Sequence, residues 1–414
     1  MHIFEQNCYN SFNDGMFPAL DDRGMLAGTT IERNGLFVKR TMHGCALGIV
    51  GLALLLARPA GAFPLPLRSD QPLRTGCPRA AVAPVIDGRL DDAAWSSWIR
   101  LDTDIEGPRR PAPRFGTDVA MAWDDSFLYV GARLVEPHVW ATYARRDMVV
   151  YHENDFEVFI DPDGDNHLYY ELEINALGTV WDLLLVRPYR DGTAAVDAWD
   201  VAGLKSAVQV QGTLNDPSDL DEGWTVELAF PWAVLAQVAG RPAPPAPGDV
   251  WRVNFSRVEW RTQAANGGYV KAVDAATGQP LPEDNWVWSP QGLIAMHYPE
   301  RWGQVVFLGE GQAEQDAMAG NAELEAIKLA GTLMHVYYRQ KEFQEVHGRY
   351  AADLAELGLD AHTMPGLTPG LTFPLGADQE LIMTGGPDWF HARLTTPVVT
   401  ATVDHEGWLR RLAP

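Results

Sequence analysis

Cysteine is nearly absent: Cys8, Cys45 and Cys77 are the three in 414 residues. Removal of the chain up to Ala62 leaves Cys77 alone, so no intrachain disulfide can form, and a lone thiol is either buried or free to cross-link two copies. Basic residues are also under-represented, 32 against 55 acidic, for a net charge of -23. The first 62 residues hold five of each sign, so the remainder, with 32 − 5 = 27 basic and 55 − 5 = 50 acidic residues, carries the whole excess. Nucleic-acid binding needs cations to neutralise phosphates, and this balance excludes it. Also missing are a Gly-rich phosphate loop, a His-Glu-x-x-His helix and a Gly-x-Ser-x-Gly elbow, which removes the commonest nucleotide, zinc-protease and serine-hydrolase readings. His138, His152 and His167 with Met121 and Met148 are haem-ligand types, but without Cys-x-x-Cys-His covalent haem is excluded.

Between Val38 and Ala62 a basic flank (Lys39, Arg40) precedes an apolar run from Ala46 to Ala57 and the small residues Ala60-Gly61-Ala62. This is the pattern of a secretory signal peptide with cleavage near Ala62, and an uncleaved N-terminal anchor is the alternative. Met25 reads as a more ordinary start than Met1. Secretion, or residence in the periplasm or cell envelope, is the expectation.

Tryptophan, by contrast, is abundant, with 15 in the chain. Most should fill a β core, and some should lie flat against polar surface, where an indole ring suits the apolar face of a sugar. After a linker over 63–79, short alternating runs recur between turn residues: 119–123, 127–134, 156–160, 169–174, 180–186, 205–210, 223–230, 251–259 and 304–308. Many short strands with regular turns and almost no helical periodicity predict a two-sheet antiparallel β-sandwich over 80–308. Past Gly309 the pattern changes. A helix over 322–347 and strands near 380–384, 389–394, 398–403 and 408–412 predict a small α+β domain over 309–414. The fold class is therefore mainly β, a sandwich followed by a long helix with an antiparallel sheet.

The segment from Tyr151 to Val186 carries most of the chemistry. Period-two alternation puts Phe156, Val158 and Ile160 on one face and Asp155, Glu157 and Phe159 on the other, predicting carboxylates offered on an open face. Glu157, Glu171 and Glu173 are of the type that hydrolyses glycosides when two acids stand ~5–10 Å apart, though spacing in sequence does not fix that separation. Asp161, Asp163 and Asp165 alternate through a turn, as hard oxygen ligands for Ca²⁺ do. The turn starts like an EF-hand loop but has Leu172 where the closing Glu belongs, and a plain solvated hairpin turn is the equal alternative. Tyr151, Trp260, Trp286 and Trp288 flank polar stretches, which places them at a surface. With Asn175, Arg257 and Glu259 they form the elements of a stacking platform with a hydrogen-bonding rim.

The series VIDGRLDDAAW, MAWDDSFLYVGARL, ENDFEVFIDPDGD, YYELEIN, GWTVELAFPW, WRVNFSRVEW, WSP and YPERWGQVVF resembles, in order and spacing, the family-nine carbohydrate-binding modules. The resemblance implies a secreted, non-catalytic β-sandwich that binds glycans, often with structural calcium. It places Glu157 on a sugar-contacting glutamate and Asn175 on a contacting asparagine. It also shows departures: Tyr151 stands for a stacking Trp, Glu173 for a contacting Arg, and Met296 for the second stacking Trp. An Arg-to-Glu change inverts charge and removes bidentate donors, so the same sugar in the same pose is not expected. Residues 309–414 resemble the globular head of type IV pilin-like proteins without the hydrophobic stalk, which implies a docking module toward a cell-envelope protein.

The expected function is therefore binding of a sugar or polysaccharide through Tyr151, Glu157, Glu173, Asn175, Arg257 and Trp288, with no catalytic residue and with Ca²⁺ at Asp161, Asp163 and Asp165. A glycoside hydrolase, or a module once attached to one, and a protein-interaction module that has lost sugar binding are the alternatives.

Overall fold

The computed structural model describes residues 63–66, 71–192, 195–366 and 372–412, so the signal-like segment and the start-site question lie outside the described residues. In chain order the first part contains β1 (Arg74–Cys77), β2 (Trp98–Arg100), β3 (Thr103–Asp104), β4 (Thr117–Trp123), β5 (Phe127–Val135), β6 (Asp155–Asp161), β7 (Tyr169–Asn175), β8 (Val180–Leu185) and β9 (Ala195–Val196). It continues with β10 (Lys205–Gln211), β11 (Gly223–Pro231), the short helix α1 (Trp232–Leu235), β12 (Val250–Glu259), β13 (Thr262–Ala265), β14 (Gly268–Lys271), β15 (Asp284–Val287) and β16 (Gly303–Phe307).

These strands make the predicted sandwich. One sheet runs β1-β16-β12-β6-β7-β8-β9, with β15 beside β12 and β3 beside β15, and the other runs β10-β11-β5-β4-β2. The inward-facing residues of both, Val158, Ile160, Leu172, Val226, Leu228, Val253 and Phe255 among them, form one core. Five tryptophans serve that interior, Trp123, Trp224, Trp232, Trp251 and Trp288, all of them buried. Their indole N–H groups find acceptors where the core is polar, as with Trp224 on Glu136 (2.7 Å) and Trp123 on the Leu308 carbonyl (3.0 Å).

The expected linker is shorter than the sequence implied. Arg74 to Cys77 pairs in parallel with β16. Alternation is invisible there because Thr75, Gly76 and Cys77 are all buried, which also settles the lone thiol as a core group.

The C-terminal part comprises α2 (Glu314–Met318), α3 (Ala322–Gly331), α4 (Leu333–His347), a two-stranded ribbon of β17 (Thr363–Pro365) and β18 (Thr372–Pro374), and a meander of β19 (Glu380–Gly386), β20 (Trp389–Thr395), β21 (Thr400–Asp404) and β22 (Leu409–Leu412). The expected single helix is two. Asn321 caps α3 by accepting from the Glu323 and Leu324 amides. The break falls at Thr332, whose hydroxyl bonds back to the Leu329 carbonyl at 2.6 Å. Gly348, at φ 68°, ends α4 in the left-handed conformation that a side chain disfavours.

This domain is packed on the sandwich rather than tethered to it. Leu324 and Ile327 of α3 share a cluster with Val250, Val306 and Leu308. Tyr298 joins Tyr337 and Tyr338 of α4 in a second core. A buried bidentate pair, Arg190 to Glu300 at 2.7 and 3.0 Å, lies at that seam, and Tyr338 donates its hydroxyl to the same Glu300. Among the described residues no helix is long and apolar enough to cross a membrane.

Candidate functional site

Register decides which side chains can meet. Opposite residues in an antiparallel pair share a face, and β6 lies between β7 and β12. Glu157 stands opposite Glu173 on one side and Ser256 on the other, Asp155 opposite Asn175 and Val258, and Phe159 opposite Glu171 and Asn254. The predicted alternation is therefore realised. Phe156, Val158 and Ile160 enter the sandwich core while Asp155 and Glu157 point to the outer face.

That outer face is not open, contrary to the expectation. Asp155 is 0 %, Glu157 5 %, Glu171 3 % and Glu173 2 % exposed. At one end Trp302 and His297 cover it, Trp302 packing on Phe159 and Tyr169 at 5.4 and 5.1 Å between ring centres and His297 accepting or donating to the Tyr169 hydroxyl at 2.9 Å. At the other end the turn Val150–His152 folds over β7 and its Tyr151 amide donates to a Glu173 oxygen at 2.9 Å. Neither covering segment belongs to a periodic run, so nothing in the alternation announced it.

Burial dominates the electrostatics. It pushes Glu157 up to about 7. It raises Asp155, Glu171 and Glu173 well above the carboxylate range, and the neighbouring acids raise them further. One oxygen each from Asp155, Glu157 and Glu173 lies within 4.8 Å of the others. His297 gives no compensating charge, since burial and then the Arg190 guanidinium pull it down to about 3.

Tyr151 joins this group and remains half-buried. Its ring stacks on Trp181 (6.2 Å, 26°) and sits 4.7 Å from His152, and its carbonyl accepts from the Trp260 indole at 2.9 Å. Lys271 lies 3.2 Å from the Trp260 ring centre. Its pKa falls to about 8 because of burial, against the pull of Glu283 and Glu153. Tyr151, His152, Lys271 and Glu283 thus form a half-buried polar rim around the carboxylates.

The remaining expected sugar contacts are placed otherwise. Asn175 shares the outer face, but its amide closes the β7–β8 turn, accepting from Leu177 and Thr179 (3.1 and 3.0 Å) and donating to the Tyr143 carbonyl (2.9 Å). Arg257 stands opposite Phe156, on the inner face, where a ligand held by Glu157 cannot reach it. Its guanidinium donates to Glu259 (2.8 Å), the Val135 carbonyl (3.0 Å), Thr117 (3.2 Å) and Glu136 (3.4 Å). Trp286 and Trp288, expected at a surface, are buried at 2 % and 4 % exposure. Trp286 packs 5.3 Å from the Arg257 guanidinium. Trp288 lies so close over Gly303 that a Cβ there would come within 2.2 Å of its ring. Trp260 is likewise buried against Trp140 and Val258, and Met296 is largely covered, its carbonyl accepting from Trp302 at 2.8 Å.

In the acidic turn, Asp161, Asp163 and Asp165 also bring oxygens within 4.8 Å of one another. Asp161 accepts from the Gly164 and Asn166 amides at 2.9 and 3.2 Å and stands 3.5 Å from Arg252. Asp163 has no basic group within ion-pair distance among the described residues and is raised to about 8 by burial and the other two acids. Burial and the Asp161 charge bring Asp165 to about 7. Three hard oxygens, of which Asp163 alone lacks a charged partner or donor to its side chain, are of the type that holds Ca²⁺. The turn also docks the C-terminal domain: the Trp408 indole donates to Asp165 (2.6 Å) and Arg411 to the Asp163 carbonyl (2.6 Å). A third acidic group, Asp147, Asp182 and Asp200, escaped sequence reading because Asp182 sits in an otherwise apolar strand. Arg146 pairs with all three of its members, which offsets part of their charge.

Two curated relatives match part of the chain. The chain is 25% identical over 158 residues to "Exoglucanase XynX" of Acetivibrio thermocellus, covering 38% of this chain and 12% of the relative. It is 26% identical over 159 residues to "Endo-1,4-beta-xylanase A" of Thermoanaerobacterium saccharolyticum, again 38% and 12%. The chain thus spans a small part of these relatives' length. Among solved structures it is similar to a carbohydrate binding module family 9 from Caldicellulosiruptor kristjanssonii in complex with cellotriose, with 15% identity, 58% of this chain, 96% of that chain and TM-score 0.38. Residues 86–309, which hold the outer-face acids, the rim around Tyr151 and nearly the whole sandwich, match the model of the carbohydrate family 9 binding domain-like family, and the chain belongs to that family.

Proposed function

We propose that this protein is a non-catalytic carbohydrate-binding protein whose glycan lies on the outer face, across the Tyr151 ring. The single observation that carries the reading is the position of Tyr151: a half-buried ring backed by Trp181, with its amide bonded to Glu173 and with polar side chains around it. A pyranose needs an aromatic plane for its apolar face and a rim of hydrogen-bonding groups for its hydroxyls, and Tyr151 with His152, Lys271 and Glu283 supplies both. Glu157 and Glu173 act from beneath, ordering the platform. Sealed as they are, they leave no room for a glycosidic bond between them, which favours binding over hydrolysis.

Family membership supports the same reading, and the names of the curated relatives point to plant-type β-glucan or xylan as the first ligands to try. Ca²⁺ at Asp161, Asp163 and Asp165 would fix the turn on which the C-terminal domain rests, a structural role with no part in sugar contact. Export by the segment ending near Ala62, and use of residues 309–414 as a pilin-head-like docking module toward a cell-envelope protein, complete the proposal.

A glycan array on the full chain, followed by isothermal titration of the best ligand against Tyr151→Ala, tests it. The expected result is binding to at least one β-linked polysaccharide, weakened about tenfold or more in the variant, since losing one aromatic platform costs on the order of 1–3 kcal/mol. A blank array overturns the function, and unchanged affinity overturns the site.

A further inference from the structure

Three acidic triplets in this chain differ in how their charge is balanced. Asp147, Asp182 and Asp200 are bridged by Arg146. Asp161 of the turn triplet has Arg252 and two backbone amides. Asp155, Glu157 and Glu173 are the most deeply buried of the three groups, and among the described residues no Lys, Arg or His comes within ion-pair distance of any of them. Burying like charges without a partner costs several kcal/mol per ion, so something must neutralise this group.

Two further observations point to an ion. Asp155 accepts from the Val258 amide through one oxygen at 3.3 Å, while its other oxygen has no hydrogen-bond partner. Glu171, two residues before Glu173 on the same face and outside the triplet, also keeps one buried oxygen without a partner. Its charge raises Asp155 and Glu173, and the Glu157 charge raises it in turn, which places it at the edge of the same cluster. Opposite Glu157, the fully buried Ser256 hydroxyl faces its carboxylate and pulls it down against the effect of burial. The space between β6, β7 and β12 is thus lined by oxygen from four carboxylates and a hydroxyl, several of them without protein donors.

We infer that Asp155, Glu157 and Glu173 bind an oxygen-seeking divalent cation, with Glu171 and Ser256 completing its surroundings. An all-oxygen, carboxylate-rich donor set selects Ca²⁺, Mg²⁺ or Mn²⁺ over thiolate- or imidazole-preferring metals. The ion sits directly under Tyr151, because the Glu173 oxygens that hold it also receive the Tyr151 amide. The site is separate from the 161–165 turn and does not depend on the glycan reading.

The test uses the full chain, stripped with chelator at pH 8 and titrated with Ca²⁺ and Mn²⁺ by calorimetry and with Tb³⁺ by tryptophan-sensitised luminescence, Trp181 being the nearby donor. Asp155→Asn and Glu173→Gln each remove a ligand charge, and Asp163→Asn reports on the turn. The expected result is an ion bound by the wild type, weakened about tenfold or more by Asp155→Asn and by Glu173→Gln and left in place by Asp163→Asn. Far-ultraviolet dichroism verifies folding, and should one variant not fold, the other with Glu157→Gln decides. No uptake of any of the three ions by the wild type overturns the inference, as does binding that Asp163→Asn abolishes and the cluster variants leave unchanged. Wild-type melting gives an independent readout: a rise with Ca²⁺ that survives in Asp163→Asn supports the site, and melting indifferent to Ca²⁺ there contradicts it.

Discussion

Glu157 and Glu173 face each other across β6 and β7, carboxylates within 4.8 Å, in the outer layer of a sheet that buries both. The pairing places acid against acid beneath the turn that carries Tyr151, whose amide donates to Glu173. Several measurable consequences follow from that arrangement and from the way the two domains are joined.

Stability should fall as pH rises from about 6.5 to about 8 in the presence of chelator. Glu157 and Asp165 titrate near 7 in the folded chain and Glu259 and Asp163 near 8, all raised first by burial. Over that window the unfolded chain has already lost these protons and the folded chain still holds part of them, so raising pH favours unfolding. Below about 6.5 His297, held near 3 by burial, contributes with the opposite sign and offsets part of the effect of the four acids. Thermal melts at pH 6.5 and pH 8 should differ by several degrees, lower at pH 8. Equal or higher melting at pH 8 would contradict the assignment.

Trp288→Ala should act on stability alone. The ring belongs to the inter-sheet core beside Phe255 and over Gly303, and removing a buried Trp costs about 3–5 kcal/mol. Urea unfolding should show that loss, while glycan affinity per folded molecule stays at the wild-type value. Weakened affinity with unchanged stability would return Trp288 to the binding surface.

Arg190→Met should loosen the C-terminal domain from the sandwich. The guanidinium holds Glu300 in a bidentate pair and lies 4.2 Å from the Tyr298 ring. Its loss leaves a buried carboxylate unpaired at a cost of about 3–5 kcal/mol. Calorimetry should resolve two transitions where the wild type shows one, and Arg190→Met with Glu300→Gln should recover part of the loss. A single transition at the wild-type temperature would show that the seam does not depend on this pair.

The strands were legible because alternation and turn chemistry both report them: the run expected over 223–230 is β11 almost to the residue. The inner placement of Arg257 was also written in the chain, since it shares the odd-numbered phase of Val253 and Phe255 in β12, both core residues. Its polar character masked that phase. Asn175 gave a similar local sign, standing at a strand end three residues before Gly178, whose φ of 79° marks a tight turn that the asparagine closes. What the chain could not disclose is the cover over the outer face. Tyr151, His297 and Trp302 come from turns with no period, and only tertiary packing brings them over Glu157, Glu171 and Glu173.

The outer-face platform is tested most directly by hydrogen exchange of the full chain with and without saturating glycan, using the best ligand from the array. The account predicts slowed exchange concentrated at residues 150–153 and 271–283, around Tyr151, Lys271 and Glu283. Protection confined to other segments, with exchange at 150–153 and 271–283 unchanged by ligand, would contradict it.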